Sequence, residues 1–199
     1  MRINTIATNL SFKKDLIATA DVLRKGKNYE CNIFELNNVK DFFYFEKVKQ
    51  DPNWNKAEYL NEIAEDFPMN FPTEKTYSIE NEEEQCLGFT TVEFFDKERM
   101  EISLLETCPK FAHQRGRREI KYIGQAIINF LINIAQERNI QKITVPISAD
   151  KSKKFYERCG FKTSNILKED DATLLSKNYD KALTEYNRFN KEIKIIEKE

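Results

Sequence analysis

The sequence predicts an α+β fold, a mixed but mostly antiparallel sheet with helices packed against it. Three observations predict it. Short runs of period-two alternation crowd the stretch from Lys75 to Thr107. Longer runs with helical period precede them and return over Gly124–Arg138. A chain of 199 residues can bury one substantial core, so a single domain with appendages is expected and not two domains.

Phe12–Arg24 is expected to form a helix, stopped by the turn Lys25-Gly26-Lys27-Asn28. Glu30–Leu36 reads as a first strand. Val39–Lys49 places Val39, Phe42, Phe43, Phe45 and Val48 at near-helical spacing, and Asn55–Asp66 does the same with Ala57, Leu60, Ile63 and Ala64. Asp51-Pro52-Asn53 turns the chain between them. Phe67–Pro72 cannot continue a helix, because each proline lacks a donor and biases the residue before it toward extended backbone.

Thr76–Glu80 and Gln85–Phe95 are expected strands, joined by Asn81-Glu82-Glu83-Glu84 as a solvated acidic hairpin tip. Met100–Thr107 sets Met100, Ile102 and Leu104 against Glu101, Ser103 and Leu105, as in a half-buried strand. A polar loop through Arg118 leads to a helix over Gly124–Arg138 with Ile127, Leu131, Ile134 and Ala135 on one stripe. Ile140–Ile147 is the next strand. Pro146 inside it removes a ladder donor, so one side is expected to be unpaired near its end. Asp150–Arg158 is a short helix, and Phe161–Leu167 and Ala172–Lys177 are closing strands. Tyr179–Glu197 is expected to be a long terminal helix whose stripe of Tyr179, Leu183, Tyr186, Phe189, Ile193 and Ile196 packs on its own domain or on a second subunit, as in a homodimer.

Composition removes several function classes. No apolar run approaches the roughly eighteen residues of a membrane span, and Lys13, Lys14 and Asp15 follow the weakly apolar start too closely for a secretory signal. An intracellular, cytoplasmic protein is expected. A net charge of −1 gives no bulk attraction to nucleic acid. Cys31, Cys86, Cys108 and Cys159 lie more than twenty residues apart without a Cys-x-x-Cys pair, so neither a disulfide framework nor a zinc site is expected. His113 is the only histidine, which sets aside a His-rich metal site and a Ser/His/Asp triad. No metal is expected.

Two segments carry the chemistry. Lys121-Tyr122-Ile123-Gly124-Gln125-Ala126 puts a glycine at the mouth of a helix, where unpaired N–H groups and the positive dipole end can hold a diphosphate. About thirty residues later comes Phe155-Tyr156-Glu157-Arg158-Cys159-Gly160-Phe161. Together, over residues 75–177, they resemble the GNAT superfamily of N-acetyltransferases, whose cofactor loop reads Arg/Gln-x-x-Gly-x-Gly/Ala and whose later helix often ends in Tyr-Glu-x-x-Gly-Phe. The loop departs from that pattern, with Lys121 at the Arg/Gln position and Gly124 as its only glycine.

The resemblance implies a three-layer, GNAT-like α+β (α/β) arrangement. It has a central sheet of six to seven strands, the fourth and fifth splayed into a V, and helices on both faces. It divides the domain of residues 1–177 into an acceptor-side part over 1–74 and a cofactor-binding core over 75–177, leaving 178–199 as a C-terminal helical extension. The implied reaction moves an acetyl group from acetyl-CoA, as co-substrate, to a primary amine in a ternary complex. A small molecule, a peptide or protein amine and a charged tRNA all remain open as acceptor. A non-catalytic protein of the same fold, binding a partner through its basic loop or terminal helix, is the alternative.

Acyl transfer needs a grip on the diphosphate, support for the carbonyl oxygen, a base for the amine and an acid for the thiolate. The grip falls to Tyr122, Ile123, Gly124, Gln125 and Ala126, with Arg115, Arg117, Arg118 and Lys121 supplying charge. The resemblance assigns the carbonyl and pantetheine to backbone groups of Leu105 and Thr107, because Thr107-Cys108-Pro109 matches the family's Val-x-Pro spacing. It assigns the base to Glu101, in a Glu-Ile stretch like that of histone-type members, with Glu93 and Glu106 behind it. Tyr156 is the expected acid, its phenol near pKa 10 facing a thiolate near 8.5. Phe155 is expected to take the core position and leave Tyr156 to the cleft. The aromatic-rich stretch over 30–75 forms the acceptor wall in proteins that this chain resembles.

Overall fold

A computed structural model describes residues 14–36, 41–57, 60–61, 73–95, 97–112, 119–147, 150–163, 171–186 and 193–196. The first departure from expectation is at its start. Asp15–Arg24 is a strand, β1, and not a helix. Ala18, Ala20 and Val22 are buried on one face, each 0–1% exposed, a period of two that the Ala- and Leu-containing run allowed as readily as a helix. Pairing along its whole length with β2 (Lys27–Leu36) decides between the two, because tertiary context overrides propensity. The turn joining them passes through Lys25 at φ 49° and Gly26 at φ 83°, the left-handed pair that suits the twist of a two-residue hairpin.

The strands that follow are those the alternation indicated: β3 (Glu74–Glu80), β4 (Cys86–Phe95) and β5 (Arg99–Thr107), each antiparallel to the one before. With β6 (Ile120–Lys121), β7 (Lys142–Pro146), β8 (Lys162–Thr163), β9 (Asp171–Leu175) and β10 (Ile193–Ile195), the described residues form a ten-stranded sheet, more than the six to seven expected. Its order is β10-β1-β2-β3-β4-β5-β7-β9-β8, and β6 adds to β1 beside β10. The surplus comes from the chain's two ends and from β6.

β5 and β7 are the sheet's one parallel pair among the described residues, and they touch only at their starts, Arg99–Glu101 against Lys142–Thr144. Beyond that root the two strands part. Pro146 keeps its antiparallel partner Asp171 on β9 and has no partner on β5. The V and the one-sided pairing at Pro146 are therefore as expected.

Adjacent residues on β4 separate the two faces. Gly88 points toward the helix α3 (Ile123–Glu137), which follows the one-turn α2 (Pro109–Ala112): a Cβ on Gly88 would lie 3.2 Å from Ile123 and 3.3 Å from Ile127. Phe89 points the other way, stacking on Trp54 at 5.0 Å and meeting Phe45 edge-on at 6.1 Å. Phe45 belongs to α1 (Phe42–Gln50), and Trp54 ends a 3-10 turn over Pro52–Trp54. Asp51 caps that turn by accepting from the Asn53 N–H at 2.9 Å, and the Trp54 indole donates to the Cys86 carbonyl at 3.2 Å. Helices thus cover both faces. The helix expected over 55–66 and the break over 67–72 fall mostly outside the described residues.

α3 is apolar nearly all round, as befits a helix wrapped on several sides. It packs on β4, β5 and β7 beneath, while β1 and β10 curl over it. Ile17 and Ile195 line a shared pocket with Phe130 and Ile134. Tyr77 on β3 meets Phe130 edge-on at 5.0 Å.

The chain's end is the second correction. The predicted helix over Tyr179–Glu197 is a 3-10 turn at Ser176–Asn178, a helical segment running through Tyr186, and then the strand β10 antiparallel to β1. Tyr179, 2% exposed, and Ala182, 3% exposed, bury in this chain's own core, while Ile193 and Ile195 belong to a ladder. The stripe expected to pack on its own domain or on a second subunit therefore does not exist as one helix face; Tyr179 packs on the chain's own core, and Phe189 lies outside the described residues.

Candidate active site

The start of α3 lies beside the open end of the V. Tyr122, its N-cap, adopts φ 71° and offers no side-chain cap, and no acidic residue stands in the first turn. The Ala126 N–H reaches the Tyr122 carbonyl at 2.9 Å. The N–H groups of Ile123 and Gly124, earlier in the helix, have no carbonyl of the helix to bond. The positive end of a fifteen-residue dipole is thus directed at this spot without a carboxylate of its own to satisfy it. The residue in left-handed backbone is Tyr122 and not Gly124, which sits inside the first turn. Gly124 is needed for closeness: a Cβ there would lie 3.1 Å from Phe155 Cζ and 3.6 Å from Thr107 Cγ2.

β5 supplies the second wall. The Cys108 N–H bonds the Leu87 carbonyl at 2.8 Å, so Cys108, Glu106 and Leu104 direct their backbone groups at β4. The Thr90 hydroxyl donates to the Leu104 carbonyl at 2.7 Å, which agrees. By alternation, the N–H and C=O of Leu105 and Thr107 face the opposite side, where β7 has already diverged. These are the backbone groups expected to hold a carbonyl and an amide-bearing arm, and they face the gap.

α4 (Asp150–Arg158) closes the site from β7's side. Its two aromatic residues exchange the positions expected of them. Tyr156 is buried, 6% exposed, with ring contacts to Phe155 at 5.1 Å and Phe161 at 5.5 Å, whereas Phe155 is only partly buried and presses on Gly124. The reason is helical phase. Tyr156 and Cys159 face the core, and Phe155 turns toward the start of α3. Burial pushes the Tyr156 phenol well above its ordinary range, with a smaller push from the Cys159 thiol. It stays protonated across the physiological range, as an acid must before it donates.

Glu101 stands apart from these groups, at the root of the V. It is half-buried between its cross-strand neighbours Glu93 and Thr144, and the Thr144 hydroxyl donates to its Oε2 at 3.4 Å. Thr107 is six residues farther on, about 20 Å along an extended strand. Glu93 and Glu101 share the α1 face, and so does Glu106, opposite Phe89. Lys121 is on β6 opposite Leu23. Arg115, Arg117 and Arg118 lie outside the described residues. Gly124, Thr107 and Phe155 therefore converge, Tyr156 stands next to Phe155 on the core side of α4, Lys121 lies three residues before Gly124, and Glu101 stands at the root of the V.

Two features had no signal in the sequence reading. Phe155 as the partner of Gly124 depends on the phase of α4, which nine residues leave ambiguous. A buried cation also went unseen: Lys14 pairs with Glu80, which is 2% exposed. Thr76, Ser78 and Glu80 are all buried, on the face that Phe89 shares with α1. Among the described residues no group of three or more His, Cys, Asp or Glu is placed to hold a metal, and no helix is long and apolar enough to cross a membrane. The four cysteines are buried thiols outside any disulfide.

The acetyltransferase (GNAT) domain family matches residues 33–173. A search of curated protein sequences returns no match. Among solved structures, a protein assigned as a GNAT-family acetyltransferase from Desulfovibrio desulfuricans is similar over 73% of this chain and 99% of its own, with 13% identity and a TM-score of 0.55. The PaiA N-acetyltransferase from Thermoplasma acidophilum, in complex with coenzyme A, is similar over 72% and 98%, with 14% identity and a TM-score of 0.51. A spermidine N-acetyltransferase chimera of the Vibrio cholerae and hSSAT proteins is similar over 76% and 98%, with 14% identity and a TM-score of 0.54. At such identities the structural likeness speaks for the fold, and the domain match, which spans more than half the chain, speaks for the family: the protein belongs to the GNAT acetyltransferases.

Proposed function

We propose that this chain moves the acetyl group of acetyl-CoA onto a primary amine by direct attack within a ternary complex. The observation that carries the proposal is the pairing of two backbone arrays that face one gap. The start of α3 presents the Ile123 and Gly124 N–H groups, and β5 presents Leu105 and Thr107 toward the space that β7 leaves. The first array suits a diphosphate. The second suits the amides of a pantetheine arm and the thioester carbonyl. Gly124 without a side chain leaves room for both to approach.

When bound, acetyl-CoA supplies the activated acyl group. The chain's own residues then orient it and move protons. Tyr156 is the acid of this reading: one residue from the group that touches Gly124, its phenol donates to the departing sulfur from the core side of α4, past Phe155. Its raised pKa makes that transfer uphill in isolation, so close placement matters. Glu101 is four residues from Leu105, about 13 Å along the strand. At that distance it takes the amine's proton through ordered water and not by direct contact. Lys121, one residue before the N-cap of α3, adds positive charge near the diphosphate.

The acceptor lies on the α1 face, since the donor occupies the α3 side. Similar structures include an enzyme acting on spermidine, which makes aliphatic amines the first probes. Two measurements test the reading. Acetyl-CoA at a hundred times its dissociation constant should raise stability by about 2.7 kcal/mol, visible as a melting shift. Amine pools, peptides and charged tRNA should then be screened for release of free thiol. Absence of any acetyl-CoA shift refutes the site. A shift without thiol release from any acceptor leaves a binding protein and refutes the enzyme.

A further inference from the structure

One ammonium group is already held inside the molecule, on the acceptor side. Lys14 Nζ pairs with Glu80 Oε1, and the Ser78 hydroxyl donates to the same oxygen at 3.1 Å. The Lys14 ammonium also lies 3.9 Å from the centre of the Tyr44 ring and 5.1 Å from that of Phe34. A carboxylate with two aromatic faces is the chemistry that selects an alkylammonium ion. The four cage residues come from three elements. Phe34 on β2 and Ser78 on β3 are cross-strand partners, Glu80 follows on β3, and Tyr44 descends from α1.

The location fits a substrate. Ile79 on β3 lies opposite Gly88 on β4, which lies opposite Thr107 on β5, so Glu80 is level with the open end of the V. Two strand spacings separate them, about 10 Å. Ser78 and Phe34 are on the face away from α3, since their neighbour Tyr77 points at Phe130. Glu80 is 2% exposed and the Lys14 side chain 15%, so the cage opens along the path of the lysine stem. A flexible alkyl chain ending in an ammonium can take that path.

We infer that Phe34, Tyr44, Ser78 and Glu80 form an alkylammonium subsite for the acceptor, filled in this structure by the chain's own Lys14. The inference rests on the acetyl-transfer reading for the attacking end. Because the cage is about 10 Å from the gap, the ammonium it holds is not the nitrogen that attacks. The acceptor class is an aliphatic amine with a second cationic nitrogen about that far away. Lys14 competes from within the same chain, so the wild-type protein binds such an acceptor more weakly than the empty cage would.

The test uses the full chain and a series of 1,4- to 1,10-diaminoalkanes. Trace acylation of lysines, read by mass spectrometry and normalised to the exposed Lys25, reports whether Lys14 has left the cage. Addition of the longer diamines is expected to raise Lys14 labelling several-fold, while n-butylamine, at matched ionic strength, raises it less. Lys14→Met is expected to lower KM for the longer diamines roughly fivefold or more, with KM for n-butylamine and the affinity for acetyl-CoA unchanged. Where Lys14→Met does not fold, the wild-type labelling decides alone. Constant Lys14 labelling at a diamine concentration that saturates thiol release overturns the inference and leaves acetyl transfer standing. A labelling rise without any acetyl-CoA melting shift does the reverse: the cage stands and the acetyl-transfer reading falls.

Discussion

Replacing Gly124 by alanine separates what the start of α3 does for stability from what it does for binding. In the helix interior the added methyl reduces the unfolded chain's freedom, a gain of about 0.5–1 kcal/mol. Against it stands crowding. The new Cβ meets Phe155 at 3.1 and 3.3 Å, which asks the ring to retreat by a few tenths of an ångström, and Thr107 Cγ2 at an ordinary 3.6 Å. Phe155 is only partly buried and meets the methyl with the far edge of its ring, so the crowding stays at the low end of the roughly 1–3 kcal/mol for overpacked sites. The two effects nearly cancel, and melting without ligand should move by no more than a few degrees. Binding has no such compensation, because the methyl stands where the diphosphate must approach the N–H groups. For a tenfold loss of affinity, ligand fixed at a hundred times the wild-type dissociation constant stabilises by about 1.4 instead of 2.7 kcal/mol. At about 2–4 °C per kcal/mol for a chain of this size, the acetyl-CoA shift shrinks by several degrees. Differential scanning fluorimetry with and without acetyl-CoA reads both numbers. An unchanged ligand shift, with the variant folded, would refute the placement of the diphosphate at α3.

Tyr156→Phe keeps the buried ring and should leave the acetyl-CoA shift intact while slowing turnover by roughly ten- to a thousandfold, measured by thiol release; an equal rate removes Tyr156 from the chemistry. Gly88→Ala should destabilise by about 1–3 kcal/mol, because its Cβ would meet the Glu106 carbonyl oxygen at 2.9 Å and backbone cannot step aside as a side chain does. A chemical denaturation midpoint equal to wild type would contradict that packing. The pH dependence follows from the buried acids. Burial pushes the Cys159 thiol up to about 12, and the phenols of Tyr77, Tyr156 and Tyr179 also rise. Each group ionises in the unfolded chain first. Their contribution is therefore whole below the unfolded thiol value near 8.5 and erodes as pH climbs toward 12, by up to about 1.4 kcal/mol per group per pH unit. Melting curves from pH 7 to 10.5 should fall progressively above about pH 9, and a flat profile would show that these groups titrate freely.

The middle of the chain was legible because its elements are long and their partners close in sequence. β3, β4 and β5 follow one another as antiparallel neighbours, so each strand's alternation was enough to place it. The stripe of Ile127, Leu131, Ile134 and Ala135 marked α3 as a helix, and its burial on several sides came from the structure. β1 and the terminal segment were misread for a shared reason. Ala18-Thr19-Ala20 and Ile193-Lys194-Ile195 are each compatible with either period, and pairing decides them, β1 with β2 along its whole length and β10 with β1 across nearly the whole chain. The site divides similarly. Gly124 and Tyr156 were visible through spacing, and the backbone groups of Leu105 and Thr107 through resemblance alone. Which aromatic residue of α4 turns inward, and that Glu80 meets Lys14, are decided by packing between distant segments, which one sequence does not display.

β1 is clasped on one edge by two visitors, β6 over Leu23–Arg24 and β10 over Ala18–Ala20. The second visitor arrives late. During synthesis at several residues per second, the first hairpin and α3 leave the ribosome well before residue 193 does. Until then the outward side of α3 near Phe130 and Ile134 lacks its β10 cover. The nascent chain therefore carries a greasy helix half-wrapped for some seconds, a window in which a chaperone would find something to hold. The arrival of Ile193–Ile195, and not the forming of the central strands, is the event that covers α3.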